Sequence, residues 1–329
     1  MIMIVIIVVG IVAALVGSLS SSALKNSRQK KTSAALAQAK NALLGRAVSD
    51  DNMPGSLPCP DTDNDGSSEL MSGNNCPSYV GRLPWRTLRL PDLRDGSGEL
   101  LWYALSTVFR DDNSARPLNS NTKGTLSVYG ADGLSLQTQA GYDAVAVIFS
   151  PGSPVSSQSR NTVAQKNDAA NYLDIANSRN NASASGPFIA GDESATFNDQ
   201  LLFITTRDLM PLVEKRVAVE VKRALTNYYA DNNYYPWADS VAQSADYDSN
   251  PGLNRGWLPN DAGPNNWSVT SRPADWFFDN EWYKLIYYSV ARNYTSPPTS
   301  DCTSCIDNTL SVDGTSGVRA AHRRQLGLR

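Results

Sequence analysis

The residues of this chain best suited to chemistry are carboxylates and thiols gathered in one short loop. Between Cys59 and Cys76 the sequence reads CPDTDNDGSSELMSGNNC, in which Asp61, Asp63, Asp65 and Gly66 match the DxDxDG opening of an EF-hand-type calcium loop. Carboxylates at alternate positions can turn hard oxygen donors toward one point, and the glycine allows the sharp turn among them. Glu69 takes the ninth position of such a loop, but Ser72 stands where a bidentate Glu would complete it. Two readings follow, a partial Ca2+ site built on Asp61, Asp63, Asp65 and Glu69, or a solvated acidic turn. Ca2+ is the cofactor that this loop suggests.

The thiols bound this loop. A disulfide between Cys59 and Cys76 closes it and contributes about 3 kcal/mol through loop entropy. Cys302 and Cys305 form a CxxC inside PPTSDCTSCIDN, a Pro/Ser/Thr/Asp-rich stretch without the βαβ pattern of a redox domain. A short-range disulfide is the expected role there. A four-cysteine zinc site would require both pairs to meet and is the lesser reading.

Other chemistries lack their parts. The chain holds a single histidine, His322, so Ser/His/Asp and Cys/His nucleophilic systems and His-rich zinc sites have no base or ligand. Among 32 acidic residues no pair is singled out by context as a glycosidase dyad. The net charge of -3 makes no case for nucleic acid as a partner. No catalytic residue is therefore assigned, and a non-enzymatic role is expected.

The element that must position the loop is the helix before it. Met1 to Leu19 is an uncharged apolar run, and at about 1.5 Å per residue it reaches roughly 28 Å, close to the hydrocarbon thickness of a bilayer. No helix breaker follows until the turn Asp50 to Gly55, and Ala34, Ala35, Ala37, Ala39, Ala42, Leu43 and Leu44 are strong helix formers, so one helix of about 48 residues is predicted. A cleaved secretory signal is the alternative, disfavoured because no basic residue precedes the run and the exit reads Ser20, Ser21, Ser22, Ala23.

Strands are predicted at Glu99–Ser106, Thr125–Tyr129, Ala144–Phe149 and Gln200–Thr206, with turns at Gly96–Gly98 and Gly130–Gly133. Residues 151–200, rich in Ser, Asn, Ala and Gly, read as a long surface excursion. From Arg207 to Ala230 the positions Leu209, Leu212, Val213, Val217, Val221, Ala224 and Leu225 restore helical spacing on one face.

That second helix opens a repeat. Lys222, Ala224, Leu225 and Pro236 echo Lys40, Ala42, Leu43 and Pro58, while Gly256, Leu258 and Pro259 echo Gly81, Leu83 and Pro84. LIYYSVA from Leu285 echoes LLWYALS from Leu100, and TLSVDGTSG from Thr309 echoes TLSVYGADG from Thr125. Four echoes in one order indicate tandem copies of a helix-plus-sheet module. The expected fold class is α+β, a long N-terminal transmembrane and amphipathic helix packed on a small antiparallel sheet, with the module repeated once. The expected domains are 1–24 for the membrane part, 25–206 for the first module with the 151–200 insertion, and 207–329 for the second.

An apolar N-terminal span fused to an amphipathic helix, a small antiparallel sheet and the segment GSLPCP resemble the type IV pilins and the pseudopilins of type II secretion. The prepilin-peptidase signature is absent, since no Glu occurs before Glu69. A start placed within a longer reading frame is the preferred explanation. The resemblance implies a minor structural subunit, held as a single-pass protein of the bacterial inner membrane with its globular part in the periplasm, that assembles into a pilus or pseudopilus. It further implies other pilin or pseudopilin subunits as partners, and a prepilin peptidase if a leader lies upstream.

A rival function is ligand binding by an anchored protein. Five of the seven tryptophans lie in the second module, and Trp257, Trp267 and Trp276 could form a face for carbohydrate or protein. The same rings could instead fill the core of a loop-rich domain. A last expectation concerns the end of the repeat, where Val318–Ala321 leads into HRRQLGLR rather than an apolar strand. The second module is expected to be truncated, with Ala321 to Arg329 disordered.

Overall fold

The computed structural model describes residues 2–111, 116–139, 141–155, 158–240, 253, 255–259 and 267–290, with side chains from Ser22 onward, and the backbone of three short strands within 311–322. The chain forms two compact units. The first comprises 1–47, 56–112 and 123–209, and the second 48–55, 113–122 and 210–329. The change of unit falls close to the 206/207 boundary read from the sequence, but two short segments, 48–55 and 113–122, belong to the second unit.

In the first unit α1 (Ile2–Ser49) is one uninterrupted helix, as its run of Ala and Leu without Pro dictates. Thr32, Ala35, Leu36, Ala39, Leu43 and Ala47 are buried, at three- and four-residue steps that define one face. Lys40, at the edge of that face, pairs with Asp208 at 3.2 Å and donates to the Phe203 carbonyl at 3.1 Å. The helix N-terminal to Thr32 is exposed at every described residue from Ser22 to Lys31.

The sheet facing these contacts is built from β1 (Val80–Arg82), β2 (Trp102–Leu105), β4 (Ala144–Ser150) and β8 (Gln200–Thr205), all antiparallel, in the order β1-β2-β4-β8. β4 is buried throughout, which fits a central strand covered on both faces and an unbroken AVAVIF run. One face carries Trp102, Ala104, Val147 and Phe149 into a cluster with Leu126, Val128, Tyr172, Leu173 and Phe188. β3 (Val128–Tyr129) pairs in parallel with β7 (Phe188–Ile189) beside it.

The 151–200 stretch is therefore not a mere surface excursion. It folds into α2 (Val163–Asn167), the hairpin of β5 (Ile175–Ala176) with β6 (Arg179–Asn180), and β7, and it lends three residues to the core cluster. Asn177 and Ser178, both at positive φ, make the hairpin's two-residue turn.

The second unit takes up most of α3 (Thr206–Asn232), whose Val213, Val217, Val221, Ala224, Leu225 and Tyr228 are buried. Its sheet has β9 (Arg255–Trp257), β10 (Ile286–Ser289) and β13 (Arg319–His322) in the order β13-β10-β9, all antiparallel, with the short α4 (Asp275–Asp279) before β10. A separate hairpin joins β11 (Ser311–Val312) to β12 (Thr315–Ser316). Ala321 and His322, expected to be disordered, pair with Tyr287 and Ile286 instead, and 323–329 lie outside the described residues. Backbone pairing does not require the apolar side chains that the sequence pattern lacks there.

Two expectations are corrected. Among the described residues no helix is long and apolar enough to cross a membrane, because the described part of α1 is polar on its exposed side and carries Lys25, Arg28, Lys30 and Lys31. The side chains of Met1–Leu19 lie outside the described residues. The single-pass inner-membrane placement and the transmembrane element of the fold class are withdrawn on this finding. The sheet is likewise not clearly that of a pilin, since a parallel β3–β7 pair and a second hairpin flank the four strands. What stands is an α+β fold with a long N-terminal helix.

Candidate functional site

Asp61 organises the acidic loop from inside the first unit. Its backbone exchanges two hydrogen bonds with Arg82, at 3.0 and 2.7 Å, which fixes it against β1 and buries it to 1 % exposure. The carboxylate then folds the chain around itself: Oδ1 accepts from the Asn64 N–H at 2.7 Å and Oδ2 from the Gly66 N–H at 2.8 Å. Burial raises its pKa, partly countered by those N–H donors, and the charges of Asp63 and Asp65 add to the rise.

Further turns repeat the device. Asp63 accepts from the Asp65 N–H and Asp65 from the Ser67 N–H. Gly66 sits at φ +86, and a Cβ there would lie 2.5 Å from the Trp85 ring, so both the turn and the close approach require glycine. The Cys59–Cys76 disulfide is present, with Cα atoms 5.5 Å apart. As a result one carboxylate oxygen from each of Asp61, Asp63 and Asp65 lies within 4.8 Å of the others. That donor set is hard, anionic and suited to Ca2+.

Glu69 is not brought into the cluster. Its Oε1 accepts from both the N–H and the hydroxyl of Thr62, at 2.9 and 2.6 Å, which closes the loop from outside. Ser72 pairs through its backbone with Asn75. Three of the four expected ligands thus converge, and the fourth serves the fold.

The tryptophans of the second unit are engaged within it. Trp257 meets Tyr287 edge to face at 6.2 Å, Trp267 meets Tyr228 at 5.3 Å, and Trp276 is buried beneath the Arg216 guanidinium at 5.1 Å. Trp276 also lines a pocket of about 610 Å³ with Asp51, Arg116, Asp275 and Asp279. Trp276 is buried, and Trp257 and Trp267 are half-buried. Cys302 and Cys305 lie outside the described residues, as does the His322 side chain.

Sequence reasoning missed Arg82. Its guanidinium is buried against the rings of Trp102 at 4.8 Å and Tyr172 at 4.6 Å, and Nη2 donates to the Lys166 carbonyl at 2.7 Å. The signal was in the repeat, where Gly81 and Leu83 recur as Gly256 and Leu258 but the residue between them changes from Arg to Trp. Also missed was the buried carboxyl pair Asp174 and Asp199, which lies in a stretch without apolar periodicity.

Compared with known proteins, the chain matches no family model, no curated protein and no solved structure.

Proposed function

We propose that the chain is a structural subunit of a filament, of the pilin or pseudopilin kind, that joins other such subunits through the exposed part of α1. The supporting observation is the contrast along this helix. From Thr32 onward it buries one face, whereas Ser22 to Lys31 are all exposed, Leu24 at 54 % among them. Before Thr32 the helix is held by surface polar pairs, Lys25 with Glu193 at 2.8 Å and Gln29 with Gln200 at 2.8 Å, and its other exposed positions are material for packing against another molecule. The ring packing of Trp257, Trp267 and Trp276 gives less support to a ligand face as the main role.

Bifunctional maleimide cross-linking tests this reading. Single cysteines at Ser22 and Ser27 on the full chain, in its source cell, should yield ladders of cross-linked subunits. Monomer alone at both positions contradicts it.

We further propose that Asp61, Asp63 and Asp65 hold Ca2+. The observation favouring it is the convergence of three carboxylates on a disulfide-closed loop. Bound there, the ion would offset their mutual repulsion and fix the loop against β1. Calorimetric titration with CaCl2 should give saturable heat that Asp63→Asn with Asp65→Asn abolishes. Identical isotherms for both proteins remove the site.

A further inference from the structure

Arg82 is a buried cation with no anion. It is 5 % exposed, its Nε–H has no acceptor, and its polar partner beyond the backbone bonds to Asp61 is the Lys166 carbonyl. Among the described residues no carboxylate pairs with it. Asp61, directly opposite in the backbone, spends its carboxylate on Asn64 and Gly66. Trp102, stacked on the guanidinium, also buries an Nε1–H without an acceptor. Buried donors are nearly always satisfied and buried charges nearly always paired, so two exceptions in contact ask for an explanation.

The fold itself does not require them. In the second unit the same register position, opposite Tyr287 and bridged to Asp239 as Arg82 is to Asp61, holds Trp257. An aromatic residue satisfies the architecture there, and the first unit carries a cation in its place.

Arg82 and Trp102 line a pocket of about 280 Å³, at the small end of ligand sites, which run to roughly 300–1,000 Å³. Thr62, Ser78 and Ala182 add to its wall. Two carboxylates line it as well: Asp61, buried, has both oxygens taken by the Asn64 and Gly66 N–H groups, whereas Asp168 is exposed. A dianion would meet the Asp168 carboxylate, and a bare cation would meet Arg82. We infer that this pocket binds a small zwitterion of the α-amino-acid type, its carboxylate toward Arg82 and its ammonium toward Asp168. The carboxylate supplies the missing counter-ion, and the rings of Trp102 and Tyr172 hold the guanidinium ready for it.

The test is calorimetry on the full chain with three probes, L-alanine, acetate and ethylammonium. L-alanine should bind and each fragment should bind more weakly by about tenfold or more. Arg82→Trp, which installs the residue of the second unit, and Ala182→Leu, which fills the pocket while sparing the cation, should each abolish the L-alanine heat with the thermal transition retained. The variants are independent, so misfolding of one leaves the other to decide. No heat with L-alanine overturns the site. Acetate or ethylammonium binding as tightly as L-alanine overturns the zwitterion, and unchanged binding in a folded variant overturns the pocket.

Discussion

The Tyr288 hydroxyl donates to the Pro236 carbonyl at 3.0 Å, and in the other unit Tyr103 donates to Pro58 at 3.3 Å. Each tyrosine is fully buried in an interior strand of its sheet, and burial raises both phenols well above their ordinary pKa, so both remain donors. The bond ties the segment after the long helix to the sheet in the same way twice. Tyr103→Phe and Tyr288→Phe should each cost about 1 kcal/mol, read as a lower urea midpoint with unchanged slope.

The second shared feature is steric. A Cβ on Gly81 would lie 2.6 Å from the Asp61 carbonyl oxygen, and one on Gly256 would lie 1.8 Å from that of Asp239. Both oxygens belong to backbone held in a bridge, so neither can move away cheaply. Gly81→Ala and Gly256→Ala should each destabilise by about 1–3 kcal/mol in the same denaturation assay, and Gly45→Ala, where a Cβ meets nothing within 4 Å, should not.

The disulfide gives a third expectation. Cys76 follows Cys59 at a sequence separation of 17, so replacing both by Ala should cost about 3 kcal/mol of stability. The loss should appear in thermal unfolding of the oxidised chain and vanish when wild type and variant are compared under reducing conditions.

These features show what the sequence could and could not convey. Helix α1 was readable from its composition, and its end at Ser49 falls directly before the turn expected from Asp50 to Gly55. The repeat was readable because Gly81, Leu83 and Pro58 answer to backbone geometry that both units share. The 151–200 stretch was not, because polar side chains rather than apolar periodicity hold it. Asn181, fully buried, donates to the Ile189 carbonyl and to Asp199 and accepts from the Ile189 N–H. In the acidic loop the cluster of Asp61, Asp63 and Asp65 followed from spacing, but spacing could not reveal that Thr62 takes Glu69. The pilin sheet expected from the resemblance failed for a related reason: the pattern of strands does not specify the flanking parallel pair β3–β7.

The same polar stretch sets a pH dependence. Asp199 is 3 % exposed, and its Oδ2 accepts from the Asp174 N–H at 2.8 Å and from Asn181 at 2.9 Å, while Oδ1 has no partner. Asp174 in turn accepts from the Asn198 and Asp199 N–H groups and from Gln158. Burial raises the Asp199 carboxyl well above its ordinary pKa, and the Asp174 charge adds to the rise; Arg160 offsets part of it. Burial raises Asp174 as well. In the unfolded chain such a carboxyl titrates near 3.9, roughly, so above that value the native state binds more protons than the unfolded one. The stability contributed by the protonated carboxyl is therefore complete below the unfolded value and is lost as pH rises through the raised native value. The unfolding midpoint should fall across that window, and Asp199→Asn, which keeps an acceptor and cannot ionise, should flatten the fall. A wild-type midpoint that rises through the window, or a variant whose slope equals that of wild type, would show that this pair does not titrate as its burial requires.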